Sequence, residues 1–180
     1  MSRVNGIRIV VSRLVRWIAI GTLSGFVAGV IAGGFGSRIA MRISAIAAGP
    51  EMQGRISEAG NVVGEITLTG TVFLSLVAGF FGIYGGLLYA AVKRWIPGSW
   101  LWKRLMFGLL LLLMMVYVVI DGGNFDFYVF GPVPLNITMF ASIFIFYGLV
   151  VAALAERLDR LPSTPHHSAS PGSLPLPCLR

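Results

Sequence analysis

Apolar residues in this chain come in long unbroken runs, and four of those runs are about as long as a bilayer is thick. They cover roughly 17–36, 70–92, 101–120 and 135–155. A helix rises about 1.5 Å per residue, so roughly 20 apolar residues cross a hydrocarbon core of about 30 Å. None of the runs alternates apolar and polar positions as the strands of a transmembrane barrel do. The expected fold class is an all-α membrane protein, a four-helix transmembrane bundle. It divides into a basic N-terminal segment (1–16), the four-span bundle (17–158) and a Pro/Ser-rich tail (159–180).

Between the runs lie segments of other kinds. "KRWIPGSWLWKR" (93–104) carries Pro97-Gly98, a turn signal that predicts a tight hairpin of spans two and three. Pro134 suits the first turn of span four, where a missing N–H costs nothing. The stretch 50–71 holds Gly54, Gly60 and Gly64 as breakers, and its "EITLT" alternates as a strand would. A short irregular, re-entrant or hairpin outer segment fits it, and so does a helical start to span two. The last 20 residues contain five prolines and four serines with no periodicity. Such a segment buries too little apolar area to offset its ordering entropy.

Composition sharpens the class. Charged residues make up 12% of the chain, against about 25% in soluble domains, and the mean hydropathy is +0.84. The net charge of +7 could suggest nucleic acid, but its distribution points to membrane threading. Eleven of the 14 basic residues fall before span one, between spans two and three, or after span four. Short positive loops stay in the cytoplasm, and tryptophans favour headgroup level. Trp17, Trp95, Trp100 and Trp102 all lie at the same ends of their spans as the basic residues. Both signals predict cytoplasmic N- and C-termini, the lipid bilayer as partner, and no nucleic acid. A signal peptide is the competing reading of the first run, since "SAIAAG" (44–49) offers an A-x-A pattern. The run's length and the intervening Arg38 and Arg42 favour an uncleaved span.

Glycine sets the pattern of the first two spans. Gly21, Gly25, Gly29 and Gly33 keep a four-residue beat, and span two answers with Ala78, Gly82, Gly86 and Ala90. Lipid tails are as apolar as leucine, so small residues that let backbones approach are what join helices in a bilayer. This glycine zipper predicts packing of span one on span two, or of one copy on another as a homo-oligomer. A four-residue step overshoots a helical turn by about 40°. On an uninterrupted helix, Arg38 lies nine positions beyond Gly29, about 180° around, and Arg42 lies near it. Both arginines are therefore expected to face away from the glycines, forming an outer charged cluster with Glu58 and Glu65. Span three, "LLLLLMMVYVV", has no such stripe and reads as lipid-facing or loosely packed.

The "GSRIAMR" end of span one, followed by "GRISEAGNVVGEITLTGT" and a Gly-rich second span, resembles small uncharacterised multi-span bacterial membrane proteins. The resemblance covers about residues 20–97 and implies bacterial origin with no assigned activity; together with the four spans, the expected location is the bacterial inner (plasma) membrane, as a multi-pass protein. The residues themselves offer little chemistry. No G-x-S-x-G, H-E-x-x-H, P-loop or dinucleotide fingerprint occurs. His166 and His167 sit in the tail, Cys178 is the sole cysteine, and spans two to four carry no ionisable group in their interiors beyond tyrosine. No enzyme activity, catalytic residue, cofactor or metal is expected. The expected role is that of a packing, assembly or accessory membrane protein. A passive channel or small-solute transporter built from glycine-faced helices is the alternative.

Overall fold

The computed structural model describes residues 2–50, 54, 67–120 and 132–161. Among these it is all-helical. The first rod is α1 (Ser2–Ala28), a π-helical stretch (Gly29–Phe35) and α2 (Gly36–Ala48), followed by α3 (Leu68–Val92), α4 (Trp100–Ile120) and α5 (Val133–Asp159). The first rod, α3 and α5 are each long and apolar enough to cross a membrane. Large apolar side chains cover the outside: Phe73, Phe80, Phe81, Leu113 and Met114 are all exposed. A soluble monomer rarely shows so much contiguous apolar surface. The chain is an integral membrane protein. Residues 51–53 and 55–66 of the outer segment, the loop 121–131 and the tail 162–180 lie outside the described residues.

The first rod runs well past the expected 17–36. Charge ended the apolar run at Arg16 and Arg38, but charge does not end a helix. Nothing breaks the backbone before Gly49, which takes φ 87° and is followed by Pro50. Glycine in that conformation closes a helix, and proline cannot continue one. At the start of α3, the Thr67 hydroxyl accepts from the Gly70 N–H at 3.3 Å. Such a cap is typically worth about 1 kcal/mol. Pro134 stands in the first turn of α5.

Neighbouring helices run antiparallel in the spatial order α3, first rod, α5, α4. The short connection between α3 and α4 does not make them a closely packed hairpin. They meet where Tyr89 sets its ring edgewise to Phe107, with centroids 5.0 Å apart. α4 spends its length on α5 instead, because glycine opens the backbone there. A Cβ on Gly148 would fall 3.0 Å from the Arg104 carbonyl and closer still to Gly108. Around this contact lies the core, with Phe107, Val151, Ala152, Ala28 and Ala32 fully buried. Leu111 is buried as well, at 7% exposure. Span three is therefore not loosely packed: Phe107, Gly108 and Leu111 give it one inward face.

Candidate functional site

The glycines of the first rod lie directly on α3. A Cβ on Gly21 would stand 3.0 Å from the Gly86 carbonyl oxygen, and one on Gly25 would stand 2.9 Å from the Gly86 Cα. Gly29 abuts Ala78 and Gly79, and Gly33 abuts Ala78. From the other side, Gly82 meets Gly25 and Gly29, and Gly86 meets Gly21 and Gly25. Ala90 touches the Gly21 position through its Cβ. The two stripes interlock with backbone against backbone.

The π-helical stretch keeps this seam closed. Each four-residue step turns an α-helix about 40° too far, so by Gly29 the stripe has drifted about 80° from Gly21. A π-turn holds an extra residue, which sets everything beyond it back by about 100°. The Gly36 N–H reaches back five residues to the Ile31 carbonyl. As a result Gly34 joins the seam, with its Cβ position 2.8 Å from the Ser75 Cα.

The same rotation re-aims Arg38, one turn beyond Gly34. The structure corrects the expectation that it faces away from the glycines, because that argument assumed an uninterrupted α-helix. Arg38 lies on the seam, is only 9% exposed, and sets its guanidinium over the first turn of α3. A Cβ on Gly70 would fall 2.5 Å from Arg38 Nη2 and 2.8 Å from Thr67 Oγ1. Arg38 Nε has no hydrogen-bond partner, and one turn deeper neither does the buried Ser75 Oγ. A buried donor left unmatched costs about 1–3 kcal/mol, and more when charged. Arg42 is exposed, one turn further on. Glu58 and Glu65 lie outside the described residues, so the structure does not describe the outer charged cluster as a whole.

The opposite end of the bundle is tied together by charge. Arg104 bridges to Glu156 at 2.6 Å and Lys93 to Asp159 at 2.9 Å. Arg16 donates to the carbonyls of Asp159 and Leu161, both at 2.7 Å, which closes the C-terminal end of α5. Cations suit that end of a helix dipole. Arg104 also stacks over Trp100 at 4.1 Å, and Lys93 stands over Trp17 at 5.3 Å.

No known family model matches the chain, and no curated protein or solved structure shows significant similarity to it. Function is read from this geometry alone.

Glu156, Asp159, Tyr147 and the Gly108–Gly148 contact were missed by sequence reasoning. Gly148 and Ala152 are four apart and could have been noticed as a short stripe. Glu156 and Asp159 sit one turn apart at the end of a span opposite the basic loops, which was also a visible signal. Nothing in composition marks the π-turn. Among the described residues no three His, Cys, Asp or Glu side chains lie together as a metal cage would need.

Proposed function

We propose that this chain is a non-catalytic, multi-pass protein of the bacterial inner membrane with a packing, assembly or accessory role, and with both termini in the cytoplasm. One observation carries the reading. The glycine stripes fill each other, from Gly21 against Gly86 to Gly34 against Ser75. Backbone in van der Waals contact leaves no lumen, and a face already filled is not available to a second copy. Other inward polar groups are taken up inside the bundle: the Ser24 hydroxyl donates to the Ile20 carbonyl of its own helix, while Ser44 donates to Asn136 and Tyr147 to Gly82 across helices.

Sidedness rests on the basic end. Arg16, Lys93, Arg94 and Arg104 gather there with Trp17 and Trp100. Positive short segments and interfacial indoles favour the cytoplasmic side. A proteoliposome flux assay with ions and small neutral solutes, run beside mass measurement of the detergent-purified protein, tests the role. The expected result is no flux above protein-free vesicles. Saturable flux that Gly25→Leu abolishes would replace the accessory reading with the channel one.

A further inference from the structure

We infer that the mouth of the α2–α3 seam is a binding site for a phosphate group, held between the Arg38 guanidinium and the first turn of α3. Two independent features converge there. The first is the N-terminus of a 25-residue helix. Its opening N–H groups have no partner within the helix, and its dipole favours an anion. The Thr67 hydroxyl takes the Gly70 N–H and the Thr67 carbonyl takes the Thr71 N–H. The N–H groups of Leu68 and Thr69 belong to the same first turn and have no acceptor within the helix.

The second feature is Arg38. The residue is nine-tenths buried, its Nε is unmatched, and its Nη2 lies against Gly70. A guanidinium cation and the positive end of a helix repel one another. Placing them together is unfavourable unless an anion sits between them, and among the described residues no carboxylate does so. Arginine's planar fork matches the oxygens of a phosphate group. Gly70 is what lets the fork come so close, because a side chain there would meet it.

The surroundings bear on the source of the phosphate. Leu68, Val72 and Phe73 flank the turn and are 82%, 51% and 68% exposed. An acyl chain can lie along them while its headgroup reaches the arginine. A phospholipid and free inorganic phosphate would present the same oxygens, and experiment separates them.

The test uses the full chain, delipidated in an uncharged detergent, with thermal unfolding followed as each probe is added. Short-chain phosphatidylglycerol is the first probe, inorganic phosphate the second, and diacylglycerol the uncharged control. Phosphatidylglycerol should raise the parent's midpoint saturably, and diacylglycerol should not. Arg38→Gln should weaken the apparent affinity about tenfold, the scale of one lost charge-assisted contact, with Arg38→Lys in between. Gly70→Ala keeps the arginine but displaces its fork, so it should weaken binding several-fold even if Arg38→Gln folds poorly. Arg8→Gln, at the other end, should respond as the parent does. Competition by millimolar phosphate identifies the free anion as the source, and its failure to compete identifies the lipid headgroup. An equal response from the parent, Arg38→Gln and Gly70→Ala overturns the site. So does a parent indifferent to both phosphates, with Glu58→Gln or Glu65→Gln as destabilising as Arg38→Gln, because the partner is then the chain's own carboxylate.

Discussion

The Tyr147 hydroxyl donates a 2.6 Å hydrogen bond to the carbonyl oxygen of Gly82. The same glycine packs its backbone against Gly25 and Gly29 of the first rod. One residue without a side chain is thus held by two helices at once, and α5 is coupled to the glycine seam through it. Tyr147→Phe removes the hydroxyl and leaves the ring. The Gly82 carbonyl keeps its own helical partner, so the loss should be about 0.5–1.5 kcal/mol, the usual net worth of one such bond. Reversible unfolding in mixed micelles would measure it. Unchanged stability would mean the bond contributes nothing.

Glycines along the first rod should differ sharply in their tolerance of a single methyl. At Gly25 the added carbon meets the backbone of Gly82 and Gly86, neither of which can step aside. Gly25→Ala should cost about 1–3 kcal/mol, as overpacking typically does. Gly6 has nothing within 4 Å, so Gly6→Ala should be neutral or stabilise the helix by up to about 1 kcal/mol. Similar effects at the two positions in the same unfolding assay would refute a tight seam.

Two leucines two residues apart should also part company. Leu111 is 7% exposed and Leu113 is 63% exposed. Leu111→Ala opens a cavity in the core and should destabilise by about 2–5 kcal/mol. Leu113→Ala, on the outer face, should change little. Equal losses would place Leu111 on the outside, as the leucine run alone suggests.

What was legible in the sequence followed from solvent. The apolar runs had to be helices near 70–92, 101–120 and 135–155, and α3, α4 and α5 start and stop within a few residues of those limits. Small residues at a fixed spacing announced which faces of the first rod and α3 could touch. What was not legible depended on phase. A single additional residue in one turn of the first rod decided where Arg38 points, and no residue type encodes a π-turn. The inward face of α4 was hidden for a different reason: a run of near-identical leucines has no contrast, so only the partner helix selects which of them is buried.

Sidedness can be read with thiol chemistry. In a Cys178→Ser background, a cysteine at Ser99 lies in the exposed turn between α3 and α4, and one at Thr69 lies in the exposed first turn of α3. A membrane-impermeant maleimide applied to intact spheroplasts should label position 69 and spare position 99, with both labelled after permeabilisation. The opposite pattern would invert the proposed orientation.

The π-turn also alters how the first rod can change over evolutionary time. In an ordinary transmembrane helix, gaining or losing one residue swings every side chain beyond it by about 100°, and all later contacts fail together. Here the surplus residue is confined to Gly29–Phe35. The half before it, inner in the proposed orientation, is timed to the glycines of α3, and the half after it, outer in that orientation, is timed separately to Gly70 and Ser75. A one-residue deletion within that stretch should leave the inner half seated while swinging Arg38 off the seam. The rod behaves as two screws joined by a coupling, and the outer one can be re-timed without unthreading the inner.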